Sequence, residues 1–147
     1  VQKYSLEMIE KNNYFPDLIV HLQETFPFRH DQLIDDMILS LLENGYDSVI
    51  ASKREPGWIW KETENGNFQR IDGGDIPRDF KQSSFIGLHG CGCVTYPEYI
   101  RNNKILGNKI GMLKVKHPLA AFEIRNEEQS KVLSNHLNNL YINEEKI

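Results

Sequence analysis

Cysteine is scarce: there are two among 147 residues, too few for a disulfide framework. Cys91 and Cys93 stand two apart, and on one strand their side chains would lie about 7 Å apart, poorly placed for a bridge. Reduced thiols in a reducing compartment are therefore expected. Positive charge is not in excess either, with 17 Lys and Arg against 21 Asp and Glu and a net charge of -4. That balance argues against a nucleic-acid partner, which calls for a basic stripe. No apolar run approaches the roughly 20 residues that span a bilayer, and the first residues lack the basic-then-apolar secretory pattern. A cytoplasmic protein with no membrane partner is expected. There is no internal repeat and no low-complexity tract. What remains is an ordinary globular composition, 39% hydrophobic and 26% charged, of a size that forms one domain over residues 1–147 and buries roughly 70% of its unfolded surface. The first residue is Val1 rather than Met, so the chain is expected to begin inside a longer product.

Residues 2–13 predict a short helix with Tyr4, Met8 and Ile9 on one side, stopping before Pro16. The nearly continuous apolar run 17–23 predicts a strand covered on both faces, as in a parallel sheet. Leu33, Ile34, Met37, Ile38, Leu41 and Leu42 recur at helical spacing, with Asp31 placed as N-cap and Gly45 as C-cap. A further strand at 47–52 completes a strand-helix-strand unit, the signature of an α/β fold. The texture then changes. Residues 58–61 and 68–71 flank Asn65-Gly66, a strong hairpin signal, so residues 55–84 read as an inserted β-arm. Beyond it come a glycine-rich strand at 85–94, a short helix at 97–103, a strand at 109–115 and a closing helix at 126–140 with Val132, Leu133, Leu137 and Leu140 inward.

The stretch Leu22-Gln-Glu-Thr-Phe-Pro-Phe-Arg29 follows the first buried strand at its carboxyl end, where open α/β sheets place their ligands. Gln23, Thr25, Pro27 and Arg29 there make a wall for a small ligand; equally, Pro27 merely turns the chain and Arg29 neighbours Asp31. His89, Cys91 and Cys93 fall within five residues but lack the paired clusters of a zinc site. They also lack a residue to orient a Cys-His nucleophile. Trp58 and Trp60 read as packing of the arm, Gly73 and Gly74 as loop flexibility, and His21 as a satisfied core histidine.

The same run resembles the LQPTSPLR motif of acylneuraminate cytidylyltransferases. Leu22, Gln23, Thr25, Pro27 and Arg29 match; Glu24, Phe26 and Phe28 depart. The resemblance continues in order through Asp47-Ser-Val-Ile50 ("DSVVS"), Arg78 and Asp79 ("R-x-DLP"), Gly87 to Val94 ("NGAIYV"), Lys109-Ile-Gly-Met112 ("KIGMY") and Phe122-Glu-Ile-Arg125 ("IDID"). It covers nearly the whole chain.

The resemblance implies a three-layer α/β sandwich of the nucleotide-diphospho-sugar transferase type, in part, with residues 55–84 as an arm of a homodimer. The implied reaction is attack of a sugar acid's hydroxyl on the α-phosphate of CTP, with Mg²⁺ offsetting charge and pyrophosphate leaving. Gln23 would bind the sugar acid, Thr25 and Arg29 would support the turn or the anion, Arg78 would reach a neighbour's site, and His89 takes the place of an Asn. Two departures limit the expected activity. No stretch resembles the glycine- and lysine-rich loop that grips the triphosphate, a job that needs backbone N–H groups and cations. Arg125 replaces a metal carboxylate, leaving Glu123 alone for Mg²⁺. Little or no turnover is expected of the chain by itself; the alternatives are a degenerate remnant acting as a dimerising or sugar-binding module, and an unrelated small-molecule binder.

Overall fold

A computed structural model describes residues 1–72, 74–77, 80 and 83–144, with residues 136–144 as backbone only. Its centre is a five-stranded mixed sheet. The strands are β1 (Ile19–His21), β2 (Ser48–Glu55), β5 (Ser84–Gly87), β6 (Cys93–Thr95) and β7 (Ile110–Lys114), in the order β1-β6-β2-β5, with β7 on the other edge of β2. β7 runs parallel to β2 in the register Ser48↔Ile110 to Ser52↔Lys114, and β5 and β6 run antiparallel to it. The fold is thus α/β, as expected. β1 and β2 are parallel to each other but not adjacent, because β6 lies between them.

The helix α2 (Leu33–Asn44) seals one face. Its apolar stripe buries Leu33, Met37 and Leu41 against Val49, Ala51 and Val94, with Ile34 and Ile38 partly buried beside them. Leu42, expected inside, is 57% exposed. Gly45 ends the helix at φ 59, the left-handed cap that glycine adopts without a Cβ penalty. The start differs from expectation: Gln32, at φ 68, precedes the helix, and no side chain caps it. Helix α1 (Gln2–Lys11) also turns differently, burying Leu6 while Tyr4, Met8 and Ile9 face outward. The run 17–23 shortens to three paired residues on the sheet's edge, and Val20 and Leu22 are exposed. An edge strand is covered less than a central one.

The expected hairpin is present as β3 (Trp60–Glu62) and β4 (Phe68–Arg70), registered Trp60↔Arg70 to Glu62↔Phe68, with Gly66 at φ 75 in the turn. Trp58, Trp60 and Phe68 are all more than half exposed. The Arg70 guanidinium lies over the Trp58 ring at 4.5 Å and pairs with Asp72 and Asp75. α3 (Pro97–Arg101) packs against α1, a short 3-10 turn spans Pro118–Ala121, and α4 (Glu127–Glu144) closes the chain. Val132, expected inward on α4, is 62% exposed, whereas Leu133 is half-buried. The side chains of Leu137 and Leu140 lie outside the described residues.

Asp47 ties the start of β2 to the start of β7. Its Oδ2 accepts the backbone N–H groups of Asn108 and Lys109, both at 2.8 Å. The Lys109 bond is the main cause holding its carboxyl below the usual range. A depressed carboxylate pKa contributes stability above the unfolded value, near 3.8, and that stability is lost as pH falls through the folded value. Asp47→Asn is therefore expected to flatten the loss of stability below about pH 4, measured as urea midpoints across pH.

Candidate functional site

The glycine-rich run expected as one strand is two, separated by a loop. β5 pairs with β2 up to Gly87↔Ser52, and β6 resumes at Cys93↔Ile50. Ala51 alone faces residues 88–92, donating to Gly92 O at 2.9 Å and accepting from Leu88 N at 2.7 Å. Five residues against one make a wide bulge, which pushes the chain out of the sheet plane and re-aims its side chains. Gly92 is required by packing, since a Cβ there would stand 2.9 Å from Met37 Sδ of α2. At Gly90 a Cβ would stand 2.2 Å from Gln23 Oε1 and 2.8 Å from the Phe26 ring, so any side chain there would displace both.

Arg29 holds the bulge from the other side. Its Nε donates to Cys91 O at 2.8 Å, and its Nη2 donates to Gly90 O at 2.9 Å and to Gln23 O. Gln23 N also donates to Gly90 O at 2.8 Å. The guanidinium fork thus ties the Gln23 carbonyl to a backbone segment 61 to 62 residues beyond Arg29 in sequence. Arg29 clamps main chain and does not line the cavity described next, nor does it pair with Asp31. Thr25 also stands back: its carbonyl accepts from Ile124 N at 2.8 Å, while its buried hydroxyl has no partner among the described residues.

In front of the bulge lies a cavity of about 420 Å³, lined among others by Gln23, Lys53, His89, Glu123 and Arg125 over Phe26 and Leu88. Four of the residues singled out from the sequence therefore meet here: Gln23, His89, Glu123 and Arg125. Arg78 lies outside the described residues. Lys53 was not anticipated as lining; its signal was its place toward the carboxyl end of β2. The His89 ring stacks on His21 with centroids 4.4 Å apart. Burial, helped by that neighbour, holds the His89 pKa below the usual imidazole value. His21 is not the fully satisfied core histidine expected: its Nδ1 meets Gln2 Nε2 at 2.8 Å, but its buried Nε2 has no partner among the described residues.

Glu123 is engaged by Arg125 at 2.7 Å. Among the described residues no group of three or more His, Cys, Asp or Glu is placed to hold a metal ion. Mg²⁺ is usually held by one or two carboxylates together with waters and substrate phosphates, and the carboxylate lining this cavity, Glu123, is already paired with Arg125. Both cysteines are buried, but only Cys93 is on a strand; Cys91 sits in the bulge with its Sγ donating to Ala120 O at 3.3 Å. Burial raises both thiols, Cys93 to about 11, so neither is a thiolate at neutral pH.

None of the described helices is long and apolar enough to cross a membrane. No protein-family model and no curated protein sequence matches the chain. Among solved structures, the chain is similar to a 4-diphosphocytidyl-2C-methyl-D-erythritol synthase from Anaerococcus prevotii DSM 20548, with a TM-score of 0.57 and 10% identity. The match covers 89% of this chain and 64% of that one. The chain thus shares the fold of that structure, a partial α/β sandwich, and spans less than two-thirds of its length.

Proposed function

We propose that this chain carries the sugar-binding half of a cytidylyltransferase-type site and takes a small sugar acid of the sialic-acid kind into the cavity before the bulge. The observation that supports this most is the convergence of Gln23, Lys53, His89 and Arg125 from four separate segments on one opening of about 420 Å³. That is within the usual range for small-molecule sites. A sugar acid offers hydroxyls for the Gln23 amide and a carboxylate for a cation. Lys53 supplies a point charge for the carboxylate, and Arg125, whose Nε and Nη2 face Glu123, has its remaining guanidinium donors beside it. Phe26 and Leu88 supply the apolar floor. Arg29 and Gly90 serve this reading by fixing where Gln23 lies.

In the parent reaction CTP would be the second substrate, Mg²⁺ the charge-offsetting ion and pyrophosphate the product. This reading assigns no step of that kind to the described residues, because Glu123 is paired with Arg125 and no glycine- and lysine-rich loop occurs in the sequence. The exposed Trp58, Trp60 and Phe68 of the arm support a homodimer in which a second copy covers them. A non-catalytic sugar-binding module is the second reading, favoured by the Arg125 substitution.

Calorimetry with N-acetylneuraminate tests the proposal. Saturable binding is expected, weakened about tenfold in Gln23→Ala by loss of roughly one neutral hydrogen bond. The 147-residue chain given CTP, Mg²⁺ and the sugar is expected to release no pyrophosphate. Absence of saturable heat with the folded chain contradicts the sugar reading, and turnover contradicts the assignment of the phosphates elsewhere.

A further inference from the structure

A second opening lies at the carboxyl ends of the parallel pair β2 and β7. β7 stops at Lys114 opposite Ser52, while β2 continues to Glu55. The last bond between them is from Val115 N to Ser52 O, at 2.9 Å. Beyond that point no strand among the described residues pairs with the β7 side of β2, and the step opens into a cavity of about 630 Å³. Lys53, Arg54, Lys114 and Lys116 line it, with Leu119 and Phe122 in its wall, and no carboxylate is among the lining residues. Four cations around one opening are unusual in a chain of net charge -4. Lys116 pairs with Asp36 at 2.9 Å. Lys53, Arg54 and Lys114 make no ion pair among the described residues.

Like charges gathered around one opening raise the local positive potential there and attract an anion the more strongly the more negative charges it brings. From these observations we infer that this opening is an anion site for a small phosphorylated ligand carrying two adjacent phosphate groups. The carboxyl ends of strands are where α/β sheets place such ligands. Ser52 and Lys114 are paired neighbours, so Arg54, two residues beyond Ser52, projects from the same sheet face as Lys114. The forked guanidinium and the ammonium there reach different oxygens of one diphosphate. The apolar wall of Leu119 and Phe122 leaves room for an organic group beyond the phosphates. Lys53 lines both this opening and the one before the bulge, but Gln23 lines only the latter.

Inorganic pyrophosphate is the probe, titrated into the full chain at low salt with amide shifts followed by NMR. The expected result is saturable binding with shifts at residues 53–56 and 114–119, at least about tenfold tighter than inorganic phosphate and weakening steeply as salt rises. The double variant R54E/K114E, at two exposed positions, is expected to lose at least about tenfold in affinity, while R54K/K114R retains binding. Circular dichroism confirms that the variants fold. Gln23→Ala is expected to bind pyrophosphate as the parent does, which separates this site from the sugar proposal. No binding at low salt, or undiminished binding by folded R54E/K114E, overturns the inference. So does loss of binding in Gln23→Ala.

Discussion

Replacing Arg29 by Ala is expected to lower the stability of the chain by about 3 kcal/mol and to abolish ligand binding at the bulge. The guanidinium donates to the carbonyls of Gln23, Gly90 and Cys91, and each hydrogen bond from a charged group contributes roughly 1.5–3 kcal/mol. These contributions are not additive, and water enters to satisfy part of what is lost, so the expected total is below their sum. Arg29→Lys is expected to recover little, because an ammonium does not reproduce a rigid fork spanning two segments. Urea unfolding of the three proteins checks this. A loss below about 0.5 kcal/mol in Arg29→Ala, the range of an ordinary surface change, contradicts the clamp.

Met37→Ala is expected to cost about 3 kcal/mol, by removing a side chain with no exposed surface from the layer between α2 and the sheet. The consequence is local as well as global. Met37 Sδ sits where a Cβ on Gly92 would be, so its loss leaves a void behind the bulge that Arg29 holds from the front. Amide exchange is expected to accelerate at residues 88–92 more than in α3, which packs against α1. Uniform acceleration across the chain contradicts a specific coupling between Met37 and the bulge.

Much of the framework was legible from local chemistry. Asn65-Gly66 marked the hairpin, Gly45 the end of α2, and the spacing of Leu33, Met37 and Leu41 the buried stripe, because turn geometry and helical period act within a few residues. What could not be read was pairing at a distance. Nothing in residues 85–94 shows that one strand becomes two, since the bulge exists only relative to Ala51 on β2. The insertion of β6 between β1 and β2 is likewise a property of the sheet, and it puts Ile19 to His21 near an edge where a fully buried strand was expected. Gln23 was found from its place after the first strand and, like His89, from the family resemblance. Lys53 was not, because its membership of the cavity depends on where β2 ends relative to β5 and β7. Arg29 was found for its charge, yet the structure directs that charge to carbonyl oxygens.

The central claim is that the bulge and Gln23 together form a sugar-acid site. The most direct measurement is an amide-shift titration of the chain with N-acetylneuraminate, alongside Gln23→Ala and Gly90→Ala. Gly90→Ala forces the Gln23 amide and the Phe26 ring to move, because the new methyl would meet them at 2.2 and 2.8 Å. The account predicts saturable shifts centred on residues 23, 53, 87–90 and 123–125, with affinity reduced about tenfold or more in both variants while each remains folded. Shifts centred elsewhere, or affinity unchanged in both folded variants, would contradict it.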